Sequence, residues 1–166
     1  MNNAIQGKNQ ILMFRSFAQR GNKGAAKLAL QTKHTWKYES KSSSELTKDG
    51  NVNAPTDPTV TLELEALSSR DDVNSMLMDA AKFAQKLEVW DIDISQKNED
   101  GKYNATYGQG YLQSWEVPSE VGKFTSIKTT MNIDQLPQTG EVTLSQAQEA
   151  EVQYAFADIT AQAKGQ

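Results

Sequence analysis

The sequence predicts a mainly β protein, an antiparallel β-sandwich or barrel with one flanking helix, and three observations carry that reading. Apolar and polar residues alternate with period two along most of the chain, and Gly-bearing or Pro-bearing turns separate the alternating stretches. Only one stretch, about residues 71–84, clearly repeats its apolar residues at helical spacing. At 166 residues, with 37% hydrophobic and 23% charged, the chain fits one domain over 1–166 that is able to bury a core. Its appendages are an N-terminal arm (1–10), a long loop or arm (40–58) and a C-terminal arm (137–166).

Residues 11–17 form the first expected strand, with Ile11, Met13 and Phe17 on one side and Leu12 and Phe14 on the other, so that both faces are covered. A polar turn over 19–24 follows. Residues 28–38 predict a half-buried strand, with Leu28, Leu30, Thr32, His34, Trp36 and Tyr38 inward and Gln31, Lys33, Thr35 and Lys37 outward. The serine-rich stretch 40–58 ends in Pro55 and Pro58. It is either a long functional or disordered loop or a two-stranded arm with Asp49-Gly50 at its tip.

The clearest strand is 60–67, with Val60, Leu62, Leu64 and Ala66 facing away from Thr61, Glu63 and Glu65. In the helix, Val73, Met76, Leu77, Ala80, Ala81 and Ala84 make the apolar stripe, and Ser69, Asp71 and Asp72 suit its N-terminus. A strand over 87–94 sets Trp90, Ile92 and Ile94 against Val89, Asp91 and Asp93. Asp100-Gly101 then signals a hairpin into a long return strand, 103–117. A further strand carries Phe124, Ile127, Met131 and Ile133. Residues 136–140 break the chain, 145–151 suit one or two helical turns, and Val152, Tyr154 and Phe156 alternate again.

Composition excludes several kinds of chemistry. With no cysteine there is no disulfide, thiolate metal site or cysteine nucleophile, and a single histidine leaves little for a zinc site or a Ser-His-Asp triad. No apolar run reaches the ~18 residues of a membrane span. The opening residues, Met1 to Lys8, lack the apolar centre of a secretory signal. A net charge of −4 without a basic stripe argues against a dedicated nucleic-acid binder.

Carboxylates come in pairs, Glu63 with Glu65 and Asp91 with Asp93, followed by Asn98-Glu99-Asp100. Two acids on one strand face suit acid–base cleavage of a glycoside, but a solvated sheet face explains the same alternation. Calcium near Asp91, Asp93 and Asp100 lacks a loop signature, and a hairpin turn accounts for the residues. His34 beside Trp36 fits a hydrogen-bonded core histidine better than a catalytic one. Ala25-Ala26-Lys27 after Gly21 and Gly24 lacks phosphate-loop spacing. Trp90, Trp115 and the tyrosines suit core packing better than a sugar platform. No cofactor, metal or enzymatic activity is expected.

Several segments, taken in order, resemble the major tail protein (tail tube protein) family of siphophages that infect Gram-positive bacteria. They begin with Gly7-Lys8 leading into Ile11-Leu12-Met13-Phe14-Arg15, residues 25–34, and Thr47-Lys48-Asp49-Gly50. They continue with Val89-Trp90-Asp91-Ile92-Asp93, Gly101-Lys102-Tyr103 running to Gly108-Gln109-Gly110-Tyr111-Leu112, residues 137–144, and residues 152–156. The resemblance spans nearly the whole chain, and its specificity lies in the order and spacing of the segments.

The resemblance implies a structural virion protein that polymerises as stacked hexameric rings into the tail tube. That tube encloses the tape measure protein, meets the tail terminator and distal tail proteins, and conducts DNA without binding it specifically. It implies a place in the virion tail, with assembly in the host cytoplasm and no membrane partner. Lys41, Ser43, Glu45, Lys48, Asp49, Gly50, Asn51 and Asn53 are the implied oligomer-interface residues. Glu63, Glu65, Asp91 and Asp93 are candidates for lumen or outer surface, where an acidic or neutral lining lets DNA slide. Two other readings remain at this point. One is a ring protein of a type VI secretion-like tube; the other is a carbohydrate-binding or adhesive β-sandwich.

Overall fold

A computed structural model describes residues 4–152. It contains ten strands, a main helix and a short second helix. In order the elements are β1 (Gln10–Ser16), β2 (Ala26–Lys27), β3 (Gln31–Glu39), β4 (Ser42–Thr47), β5 (Gly50–Pro55), β6 (Thr59–Leu67) and α1 (Asp72–Lys82). Then come β7 (Leu87–Asp93), β8 (Tyr103–Leu112), β9 (Ser126–Ile133), β10 (Gln138–Val142) and α2 (Gln146–Val152). The mainly β, antiparallel expectation with one principal helix holds.

The large sheet runs β2-β1-β7-β8-β9-β6-β3, with β10 on the first half of β8, and every pairing is antiparallel. It curls so that one end meets the other. Val60, Leu62, Leu64 and Ala66 of β6 and Ile127, Met131 and Ile133 of β9 share a core with Leu12 and Phe14 of β1, Leu87 and Val89 of β7, and Leu77 and Ala80 of α1. A second, smaller cluster on the back of β1, β7 and β8 contains Met13, Ile92, Tyr103 and Ala105, with Val142 and Leu144 against it. β1 is therefore apolar on both faces because both are covered.

Side chains, rather than a backbone ladder, close the curl. The Gln31 carboxamide accepts from Leu12 N–H at 3.0 Å and donates to Leu12 C=O at 2.8 Å, taking the place of a neighbouring strand. α1 starts where the sequence indicates. The Asp71 carboxylate caps it, accepting from Asn74 N–H at 2.8 Å, and its buried side is Asn74, Leu77 and Ala80. It ends at Lys82, and Ala84 adopts a left-handed φ of 51° just beyond.

Several expectations are corrected. The strand foreseen over 28–38 begins at Gln31, because Leu30 turns with φ 55° and the register slips between Gln31 and Lys33. His34 and Trp36 face inward as expected, whereas Thr32 and Tyr38 are exposed. The return strand stops at Leu112 instead of Val117; beyond it only isolated bonds reach β9, such as Gln113 N–H to Thr130 C=O and the Glu116–Lys128 bridge. Phe124 lies outside its strand and is exposed. The break foreseen at 136–140 is instead β10, an edge strand in which Pro137 precedes the first residue and Gly140 needs no packing partner. Val152 ends α2 rather than opening a strand, and the alternation expected at Tyr154 and Phe156 lies outside the described residues.

Candidate assembly surfaces

Stretch 40–58 takes the two-stranded form. β4 and β5 pair only with each other, in register from Ser42↔Pro55 to Thr47↔Gly50. Gly50 takes φ 115°, which only glycine adopts readily, and the Thr47 hydroxyl donates to Gly50 C=O at 2.7 Å while accepting from Asp49 N–H. At its base, Thr56 N–H and hydroxyl both donate to Lys41 C=O at 2.8 Å, so the arm continues the β3–β6 hairpin. Every residue of β4 and β5 is exposed, among them Lys41's neighbours Ser43 and Glu45 and, past the turn at Lys48 and Asp49, Asn51 and Asn53. Leu46, opposite Asn51, and Val52, opposite Glu45, lie on opposite faces of the ribbon. An arm of this kind contributes almost nothing to the core that carries it.

Long strands of the large sheet are left with a free flank among the described residues. β3 pairs with β6 on one side and with no strand on the other, and β10 pairs with β8 alone among the described residues. An open edge offers a row of unpaired N–H and C=O groups to another chain.

Glu63 and Glu65 stand on the outward face of β6. There the register sets Lys33, Glu65 and Lys128 in one row and Thr35, Glu63 and Thr130 in the next. Lys128 Nζ lies 3.8 Å from Glu65, and Lys37 pairs with Glu39 at 3.0 Å. Apart from Leu67 at the end of β6 the face is polar, with acids and bases interleaved. The back of β1, β7 and β8, by contrast, is covered in part by Val142, Leu144 and Gln148, whose carboxamide donates to Ala25 C=O at 2.7 Å.

Asp91 and Asp93 do not share the setting of the glutamates. Asp91 departs from the expected open face: its side chain is only 10% exposed, and its Oδ2 takes up both His34 Nε2 at 2.9 Å and Trp36 Nε1–H at 2.8 Å. The curl of the sheet brings β3 across to β7, so this carboxylate pins the closure from within. Asp93, half-buried, accepts from the Ser95 hydroxyl and N–H, and these bonds, the hydroxyl's first, hold its carboxyl below the ordinary carboxylate range.

Sequence reasoning missed the most buried charge. Glu88 is 1% exposed and receives Arg15 Nε–H at 2.7 Å and the Tyr107 hydroxyl at 2.6 Å, with Arg20 at 3.8 Å. Burial alone raises its pKa, but the hydrogen bonds from Arg15 and Tyr107 and the two guanidinium charges outweigh it, so the carboxyl stays below its ordinary range. The available signal was an acid sharing a strand face with Trp90 and Ile92, directly opposite an arginine on β1. Among the described residues no group of three or more His, Asp or Glu side chains is placed to hold a metal ion, and no helix is long and apolar enough to cross a membrane.

Comparison with known proteins agrees with this geometry. Residues 4–139 match the family model described as phage tail tube protein. The fold is similar to the SPP1 tail tube solved by solid-state NMR and cryo-EM, with a TM-score of 0.68 at 20% identity, covering 98% of each chain. It is also similar to the tail of an empty gene transfer agent particle refined with C6 symmetry, with a TM-score of 0.63 at 10% identity, covering 82% of this chain and 99% of that one. A weaker likeness links it to a chain of the anti-feeding prophage baseplate, with a TM-score of 0.51 at 10% identity over 86% of this chain and 97% of the other. No curated protein sequence matches it. With most of its length matched in sequence and its fold matched in solved tails, the chain belongs to the phage tail tube protein family, a family of structural virion proteins rather than enzymes.

Proposed function

We propose that this protein polymerises through its open sheet edges into hexameric rings, and that the rings stack into the tail tube. The tube encloses the tape measure protein before ejection, joins the terminator and distal tail proteins at its ends, and afterwards conducts genomic DNA into the host. The observation that carries this reading is a large sheet in which β3 and β10 each pair with a strand on one side only among the described residues, around a well-filled core. Closing such a sheet through copies of itself removes these edges. Six copies per ring are proposed by analogy with the similarly folded gene transfer agent tail, which was refined with C6 symmetry.

The outward face of β3, β6 and β9 is the face assigned to the bore. It is polar, uncovered and continuous with the β3 edge. Its row of Glu39, Glu63, Glu65 and Glu116 stands against Lys33, Lys37 and Lys128, four carboxylates to three ammonium groups, which leaves no net positive charge to grip phosphates. Negative-stain microscopy of the concentrated purified protein tests the proposal: rings or tubes with a central hole are expected. Solitary particles at every concentration would overturn it.

A further inference from the structure

Strand edges that meet neighbouring copies must be held at a fixed angle to one another, or a ring does not close. In this chain those edges are β3 and β10, and the ladder joins them only by the long way round, through β6, β9 and β8. One carboxylate makes the short way. Asp91 of β7 stands opposite Thr106 of β8, which stands opposite Thr139 of β10, so the three share a row roughly 10 Å wide at the usual strand spacing. From the near end of that row Asp91 Oδ2 takes up His34 Nε2 at 2.9 Å and the Trp36 indole N–H at 2.8 Å, both on β3. Its other oxygen, Oδ1, is buried without a hydrogen-bond partner, so the carboxylate's bonds all go to β3.

We infer that this clamp sets the angle between the two edges and, through it, the number of copies in a ring. Asp91, His34 and Trp36 are then positioning residues for assembly. The inference rests on the ring reading above and adds what fixes the ring's size. Apart from the Gln31 fork on Leu12, no other hydrogen bond crosses from β3 to β1 or β7 among the described residues. The fork fixes where β3 begins; the clamp fixes how far it leans over β7. Around them the seam is slack, with a cleft of about 500 Å³ between Gly7, Lys8, Gln10 and Ile11 on one side and residues 31–34 on the other. The core beneath, to which Trp36 adds its ring, holds the two halves together. Burial has no preferred direction, however, whereas a hydrogen bond weakens steeply once bent.

Small leans are enough to matter. In a ring of six each copy is turned by a sixth of a circle, and a seventh copy changes that rotation by only about nine degrees. Neighbouring strands of ordinary sheets already differ by roughly 10–35° in twist, so an unclamped β3 has range enough to select another number.

Tube diameter reads the copy number, since one copy more widens a tube by about a sixth. Asp91→Leu removes the clamp without leaving a buried charge, and Trp36→Phe removes one donor while keeping an aromatic ring in the core. Asp93→Asn is the control, because that carboxylate bonds to Ser95 outside the clamp. Each variant is checked for cooperative unfolding, assembled, and measured in negative stain beside the parent chain. The parent and Asp93→Asn should give one diameter. Both clamp variants should unfold cooperatively yet give mixed diameters or open arcs, Asp91→Leu the more heterogeneous of the two.

If Asp91→Leu fails to fold, Trp36→Phe decides alone; failure of both would make the clamp part of the folding unit and overturn the inference. Folded clamp variants with the parent's single diameter would overturn it as well, as would an equal spread from Asp93→Asn. Folded variants that stay as single chains would also count against it, because the edges rather than their angle would have been lost. All of these leave the ring reading standing. A parent chain that builds neither rings nor tubes removes that reading, and the inference with it.

Discussion

Replacing residues 43–53 by Asn-Gly should leave a folded protein that no longer forms tubes. The thermal midpoint of the monomer should move by only a few degrees, because every residue removed is exposed and the core clusters contain none of them. Assembly should suffer heavily. Burying a Leu or Val side chain is worth about 1.5–3 kcal/mol, so losing Leu46 and Val52 removes at least ~3 kcal/mol from each contact, or more than a hundredfold in affinity. Sedimentation of the assembled fraction against concentration measures this. Loss of cooperative unfolding in the variant would contradict it, since the arm would then belong to the folding unit.

The second large effect concerns Arg15. Arg15→Met leaves the Glu88 carboxylate buried with the Tyr107 hydroxyl and the more distant Arg20 as partners. Stranding a buried charge typically costs about 3–5 kcal/mol, and the partial exposure of Arg15 places this case near the lower figure. Urea unfolding of the monomer at neutral pH should show a loss of ~3 kcal/mol, and Glu88→Leu in the same chain should restore most of it.

The pH dependence has a definite sign. The folded-state pKa of Glu88 is depressed, so its contribution is complete above the ordinary carboxylate range and is lost as pH falls through the lowered value. The parent should therefore lose stability on acidification, and its gap to Arg15→Met should narrow at acid pH, where protonation relieves the stranded charge. An equal gap at all pH values would refute the electrostatic account of this site.

How far the sequence could be read depended on whether local pattern and tertiary setting agreed. β6 and α1 were legible because each buries one face, so Leu62 and Leu64, or Leu77 and Ala80, repeat at the period of their element. β10 was not, since Pro137 and Gly140 read as breakers and only the vacant flank of β8 makes a strand of residues 138–142. The end of β8 misled for the opposite reason. Trp115 and Val117 keep the alternation going after the ladder has become irregular.

The arm was legible as one of two alternatives, through Asp49-Gly50 and the exclusion of its residues from any apolar pattern. Asp91 looked like its neighbour Asp93, yet its surroundings are set by His34 and Trp36, more than fifty positions away in sequence. Curvature of the sheet brings them together, and nothing local to Asp91 records it. Glu88 and Arg15 are the same kind of case, a pairing visible only once the β1–β7 register is known.

The central claim is that open strands are completed by copies of the same chain, and amide hydrogen exchange tests it at the backbone. Exchange of the peptide covering residues 31–39 is compared between dispersed protein and assembled tubes. The account predicts strong protection of β3 on assembly, as its outward N–H groups gain partners, with the same change over residues 138–142. Tubes in which residues 31–39 exchange as fast as in the dispersed chain would contradict it, because the rings would then be held together by something other than the edges of the sheet.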